Sequence, residues 1–173
     1  MHEISIRHAE LEDHQPIIAV LDDWWGGRQA SGALHKLFFI HFRETSFVAE
    51  EEGRLIGFLV GFLSQTFIDE AYIHFVGVHP ERRKGGLGRK LYERFFDAAR
   101  KNGRNTVRCI TSPVNKASIA FHLRMGFEIE TQETEADHSH CSRQYRRRHG
   151  CEPISFSTCT MMTVCSFVST SRK

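Results

Sequence analysis

Long apolar runs are missing from this chain. No stretch approaches the ~18 apolar residues that a membrane span needs, and Met1 to Glu10 is mixed polar with no apolar signal core. Both absences make a cytoplasmic protein without a membrane partner the expectation. An excess of charge of either sign is missing too. Lys and Arg total 23 against 21 Asp and Glu, so the overall field gives no reason to expect nucleic acid as a partner, and any anion binding is local. Cysteine is scarce where a fold would need it, with Cys109 alone ahead of a late group of Cys141, Cys151, Cys159 and Cys165. An odd count without a secretory signal argues against a disulfide framework. His138 and His140 sit beside that group, yet the spacing lacks paired Cys-x-x-Cys ligands, so no metal is expected. At 173 residues the chain suits one domain that buries about two thirds of the surface its unfolded form exposes.

What is there reads as α/β. Ile4 and Ile6 alternate with polar residues as a half-buried strand does. Leu11, Ile17, Ile18 and Leu21 follow at helical spacing behind the acids Glu10, Glu12 and Asp13, and a second helix is predicted from about Leu34 to Phe42. Phe47 and Val48 lead into the polar turn Glu50 to Gly53, and Leu55 to Leu63 is apolar throughout, with Gly57 and Gly61 embedded, as in a central strand buried on both faces. Tyr72 to Val78 is its neighbour. Helices then run from Leu87 to Ala99 and from Asn115 to Met125, separated by a strand at Thr106 to Ile110 and followed by strand character at Phe127 and Ile129. Gly126 closes the later helix. No internal repeat is present.

Between the Tyr72 to Val78 strand and the Leu87 helix lies Arg83-Lys84-Gly85-Gly86-Leu87-Gly88. Glycines let backbone N–H groups approach an anion, and the helix that follows adds its positive dipole end. The segment has no Gly-Lys-Ser or Gly-Lys-Thr ending and no Gly-x-Gly-x-x-Gly, which sets aside the common nucleotide loops.

The turn resembles the acyl-coenzyme A site of the GNAT superfamily of N-acetyltransferases, Arg or Gln, two residues, Gly, one residue, Gly or Ala, preceded here by Val78, His79 and Pro80. A second match lies downstream, where Asn115, Ser118, His122, Gly126 and Phe127 fit the spacing of the family's late helix. The resemblance covers about Ile4 to Glu130. It implies a mixed, mostly antiparallel, splayed sheet flanked by helices. It also implies transfer of an acetyl group from acetyl-CoA to a primary amine by direct attack in a ternary complex. The acceptor is a small-molecule amine or a protein amine. A CoA-binding regulatory module that has lost catalysis is the alternative.

The resemblance also assigns residues. Amides from Arg83 to Gly88 would bind the CoA pyrophosphate, with Arg83, Lys84 and Arg89 as nearby charge, unless these simply solvate a helix start. The CoA arm would lie along the preceding strand, where Phe75, Val76, Gly77 and Val78 offer main-chain groups near the acetyl carbonyl. Asn115 and Ser118 would meet the same arm, although Asn115 is equally an ordinary helix cap. His122 stands where the family often has a tyrosine that protonates the leaving thiolate, and it either acts as imidazolium or packs. Glu70 and His74 are the base candidates by location, or else a charged strand start and a core histidine. Trp24 and Trp25, beside Asp22 and Asp23, either cage a cationic amine or belong to core and helix end. Cys109, in a buried strand, gives no reason to invoke an acyl-enzyme.

Residues 131–173 fall outside the resemblance, and Cys141 to Lys173 shows no clear alternation. Met161 and Met162 are each ATG. Reading Thr160 to Phe167 one base earlier yields Asp-Asp and codons compatible with Arg-Val-Leu-Phe, an ending that relatives commonly share. In the same frame Thr131 to Glu133 allow Pro-Gly-Asp. A frameshifted C-terminus is therefore expected, against a genuine variable tail with a basic patch at Arg146 to His149. A shifted frame would leave the sheet without its last strand and with an edge prone to association, a homodimer being the assembly expected.

Overall fold

The computed structural model describes residues 3–132 and 162–168, the side chains of 130–132 and 162–168 excepted. Two compact units divide the chain, residues 1–109 with 166–173 and residues 110–165. No helix among the described residues is long and apolar enough to cross a membrane.

The first unit is built on a mixed sheet of β1 (Ile4–His8), β2 (Phe47–Glu51), β3 (Arg54–Leu63), β4 (Glu70–Val78) and the start of β5 (Thr106–Thr111), adjacent in that order. The first four run antiparallel, and β5 joins β4 in parallel. The polar tetrad makes the β2–β3 hairpin as expected. Glu52 and Gly53 both take positive φ, 51° and 74°, between the paired Glu51 and Arg54, which suits the twist of a two-residue loop. Between Val60↔Phe75 and Gly61↔Ile73 the register shifts, so His74 is an extra residue on β4.

Three helices accompany this sheet: α1 (His14–Trp24), α2 (Leu37–His41) and α3 (Leu87–Lys101). The α3 stripe of Leu87, Leu91, Tyr92, Phe95, Phe96 and Ala99 is buried, each large apolar side chain contributing about 1.5–3 kcal/mol. The glycines of β3 set how close α3 comes. A Cβ on Gly61 would lie 2.4 Å from Phe95 Cε2 and 2.6 Å from the Tyr72 carbonyl oxygen, and one on Gly57 would lie 3.2 Å from Leu87 Cδ2. The helix start that follows the glycine turn is thus located by two absent side chains.

The helix expected over Leu34 to Phe42 shrinks to Leu37–His41 behind a turn at Ser31–Ala33. Leu34 is buried with ψ 88°, outside the helical region, and its carbonyl accepts a hydrogen bond from His14 Nε2 at 2.9 Å. A tertiary contact has overridden the local periodicity.

In the second unit, α4 (Lys116–Arg124) leads to β6 (Glu128–Gln132), which lies beside β7 (Met162–Val168), a strand whose last residues are grouped with the first unit. The strand β7 corrects the expectation that the tail supplies no final strand. Its sequence, MTVCSFV, is rich in β-branched and aromatic residues, which favour strands without strict alternation. Cys141, Cys151, Cys159, His138, His140 and the Arg146 to His149 patch lie outside the described residues.

Candidate functional site

The glycine turn reaches α3 through two left-handed residues, Lys84 at φ 67° and Gly86 at φ 81°. Gly86 is the residue before the helix and carries no side chain to cap it. The first intrahelical bond runs from the Lys90 N–H to the Gly86 carbonyl at 3.1 Å. The amides of Leu87, Gly88 and Arg89 precede that bond, as the first turn of any helix leaves its N–H groups unused. Positive backbone ends converge there under a glycine. A Cβ added at Gly86 would meet nothing within 4 Å. Within the chain the glycine is therefore required by its φ and not by crowding.

The arrangement of β4 complements the turn. Its parallel register with β5 runs from Glu70↔Thr106 to Ile73↔Cys109, while the strand itself continues to Val78. The His79 amide donates to the Ile56 carbonyl at 2.9 Å, so alternation directs the main-chain groups of Val76 and Val78 away from β3. Two side chains meet them there. Trp25 Nε1 donates to the Val76 carbonyl at 3.1 Å, and Arg83 Nε donates to the Val78 carbonyl at 3.2 Å. Of the strand's expected site groups, those two carbonyls are engaged, whereas the Val76 and Val78 N–H groups point along the same edge.

The other sequence-predicted residues of this unit sort by their contacts. Trp24 is 6% exposed and stacks on Phe58 at 6.1 Å, so it belongs to the core. Trp25 is half-buried and stacks on Phe75 at 5.1 Å. Asp22 accepts hydrogen bonds from the Ala30 and Ser31 amides and the Ser31 hydroxyl, which hold its carboxyl below the ordinary value. It shapes the loop after α1. Glu70 pairs with Arg108 on the neighbouring strand at 2.9 Å. The His74 ring, the extra residue of the bulge, lies between Phe38 and Phe75, each with its centroid 4.5 Å away. Burial pulls its pKa below the ordinary histidine value, a hydrogen bond with the Ala33 backbone opposes this, and the charge of His35 adds to it. His74 is thus neutral near pH 7, the form a base requires. Sequence periodicity carries no sign of the bulge or of the rings around it.

The second unit contains the late-helix motif, closed at both ends. Asn115 Oδ1 accepts from the Ser118 amide at 3.1 Å, a helix N-cap. At the other end Gly126, at φ 88°, donates to the Leu123 carbonyl, and Phe127 donates to the His122 carbonyl, both at 3.0 Å. These are the paired bonds of a Schellman cap, and the His122 and Phe127 rings meet at 5.1 Å as its apolar contact. His122 is 3% exposed, and its Nδ1 lies 2.8 Å from the Ser118 carbonyl. Burial lowers its pKa against the help of that carbonyl. The imidazolium that an acid role needs is therefore disfavoured.

A glycine turn at an uncapped helix start, beside a strand edge carrying outward amides, is an α/β arrangement whose free backbone N–H groups suit an anion. The chain belongs to the Acetyltransferase (GNAT) family, which it matches over residues 7–127. It is 33% identical over 92 residues to the L-2,4-diaminobutyric acid acetyltransferase of Halalkalibacterium halodurans, a match covering 53% of this chain and 49% of that protein. The chain spans about half the length of the curated relatives it matches. Among solved structures, the diaminobutyrate acetyltransferase of Paenibacillus lautus, in complex with its substrate and coenzyme A, superposes with a TM-score of 0.69 at 17% identity, covering 97% of this chain and 96% of that one. The structure of yncA from Salmonella typhimurium with its cofactor acetyl-CoA superposes with a TM-score of 0.68 at 21% identity, covering 98% of this chain and 95% of that one. Both share the fold.

Proposed function

We propose that this protein moves an acetyl group from acetyl-CoA to a primary amine by direct attack in a ternary complex. The observation that carries the reading is the uncapped start of α3, where Gly86 at φ 81° presents the amides of Leu87, Gly88 and Arg89. Those groups suit a pyrophosphate in charge and in direction, and Lys84 and Arg89 flank them. Family membership, and the coenzyme A and acetyl-CoA held by the two solved structures, support the same choice of ligand. Bound acetyl-CoA would supply an activated thioester. The Val76 and Val78 amides would donate to the acyl oxygen as negative charge grows on it.

The incoming amine must lose a proton. His74 is the base we favour over Glu70, because its ring is held neutral while the Glu70 carboxylate is paired with Arg108. Asn115 uses its carbonyl to cap α4, which leaves its amide NH₂ as the group offered to the CoA arm alongside Ser118. With His122 neutral, proton delivery to the departing thiolate falls to solvent. His122→Phe should then keep kcat within about threefold, whereas a loss of tenfold or more would restore the acid role. Of the two tryptophans, Trp25 is the one left to contact an acceptor, since Trp24 is buried. With Asp22 and Glu70 engaged by their own neighbours, a compact amino-acid-like amine is favoured over a polycation.

Calorimetry with CoA tests the donor site, and thiol release with a panel of amines tests transfer. Absence of CoA binding would defeat the reading. Binding without thiol release above background would favour the regulatory module, an option that the buried His122 in place of a tyrosine keeps in view. Cytoplasmic location and homodimeric assembly belong to the same proposal and are checked by fractionation and light scattering. The frameshift proposal for residues 131–173 is checked by resequencing the gene, an intact frame among relatives of this chain being the result against it.

A further inference from the structure

The face of β3 and β4 against which α2 packs carries a row of aromatic rings that the core does not absorb. Phe62 of β3 and Tyr72 of β4 are register partners, and their rings stack at 5.3 Å. Phe62 also meets Phe42 at 5.6 Å and Phe38 at 6.4 Å, and Phe38 stacks on His74 at 4.5 Å. Each of these rings is half-buried, so apolar surface stays exposed along a row that ends at the base favoured above.

One cation borders the row. Arg108 of β5 is the register partner of Tyr72 on its other side, which puts both side chains on one face of the sheet. Its Nε donates to Glu70 Oε1 at 2.9 Å, the one contact of the guanidinium among the described residues. The Nη groups complete a planar fork of the kind that takes a carboxylate. His74 stands one strand and two residues from Arg108, about 8 Å at the backbone. The carboxylate and amine of an α-amino acid bridge such a span with a hydrogen bond of about 3 Å at either end.

From this juxtaposition we propose that the acceptor is an α-amino acid with an apolar side chain, its carboxylate on the Arg108 fork, its side chain on Phe38, Phe62 and Tyr72, and its amine at His74. The proposal rests on the functional reading above for the transfer itself. The amine gives a proton to the His74 imidazole and its nitrogen bonds to the acyl carbon. The C–S bond then breaks, and the thiolate leaves with the electron pair and takes a proton from solvent. Burial, with Cys109 adding to it, pushes the Tyr72 phenol up to about 12, so that ring brings no charge to repel the carboxylate. A cationic side chain on the same floor would face the guanidinium, because Glu70 is already paired.

Thiol release from acetyl-CoA is compared for four amines. L-phenylalanine carries every proposed group, phenethylamine lacks the carboxylate, glycine lacks the side chain, and L-lysine replaces it with a cation. The kcat/KM for L-phenylalanine should exceed each of the others by about tenfold or more, and a smaller advantage over any of them overturns the proposal. Calorimetry with L-phenylalanine, with and without CoA, reads the site whether or not transfer occurs. Thiol release from none of the amines would defeat the functional reading, whereas failure to bind L-phenylalanine would defeat this proposal. Arg108→Gln, checked for folding by CoA binding, should raise the KM for L-phenylalanine by about tenfold with kcat within about threefold, and should bring its preference over phenethylamine to within about threefold. A preference that survives in this variant overturns the role of the guanidinium. Phe62→Leu leaves the Arg108–Glu70 pair in place. It should raise the KM for L-phenylalanine by about threefold or more and not that for glycine, and equal changes for both count against the aromatic floor.

Discussion

Two helix starts in this chain follow opposite designs. The start of α4 is closed: Asn115 caps the Ser118 amide, and its far end carries both bonds of a Schellman cap. The start of α3 is open, preceded by a glycine in a left-handed conformation with no side chain to offer. Helix stability favours the first design, since an N-cap side chain contributes about 1 kcal/mol. That α3 forgoes it, while adding a non-glycine residue, Lys84, at φ 67°, agrees with the donor site proposed there. Strain and missing caps concentrate where function needs backbone groups.

The largest disturbance of the comparison is to move the open start. Gly61→Val places side-chain atoms where a Cβ already lies 2.4 Å from Phe95 and 2.6 Å from the Tyr72 carbonyl oxygen. It should destabilise the first unit by about 3 kcal/mol, read by urea unfolding, and should lower CoA affinity by displacing α3. Gly86→Ala comes next. With nothing within 4 Å of the new Cβ, its effect comes from φ, about 1–2 kcal/mol. Calorimetry should show a loss in CoA affinity of about tenfold, the counterpart of 1.4 kcal/mol.

The closed start responds differently. Asn115→Ala should lower stability by about 1 kcal/mol, whereas Asn115→Asp should keep the cap. A fall in CoA affinity in both variants would identify the Asn115 NH₂ as a ligand group, and a fall in neither would leave it a cap alone. Acid should act through the half-buried His74 and the buried His122. The folded-state pKa values of His74 and His122 lie below the ordinary range, so the unfolded chain binds those protons more tightly. Stability is therefore full above the ordinary value of about 6.5 and falls as pH drops through it toward the folded values. The urea midpoint should be lower at pH 5.5 than at pH 7.5, with a smaller difference in His122→Phe. The smallest effect is expected at Lys84→Gly, where relief of about 1–2 kcal/mol of left-handed strain is offset by glycine's greater chain entropy, about 0.5–1 kcal/mol. A net gain of about 0.5 kcal/mol should appear in urea unfolding, while calorimetry should show CoA affinity lowered by about two- to fivefold, because the charge that flanks the pyrophosphate is lost.

Legibility followed the range of the forces involved. The glycine turn, the hairpin at Glu52 and Gly53, the Asn115 cap and the Gly126 closure are local, and residue identity within a few positions specifies each. The expected helix from Leu34 failed because its backbone was claimed by His14, twenty residues away. The final strand was missed because strict alternation is a poor guide to a strand rich in β-branched and aromatic residues. At the candidate site, the glycine turn was readable, whereas Trp25 against Val76 and Arg83 against Trp24 were not. Nothing in the spacing of those residues announces contacts across fifty or more positions.

By itself, then, the sequence determined the family, the glycine turn and the caps of α4, since φ preferences, capping groups and glycine positions act within one turn of chain. Only the tertiary structure decided that His74 is an extra, neutral residue on β4. The same holds for the burial of His122, the burial of Trp24 beside a half-exposed Trp25, and the turning of the motif's own arginine back onto α1. Burial, ring packing and the directions of strand carbonyls arise from residues brought together by folding, and no local pattern encodes them.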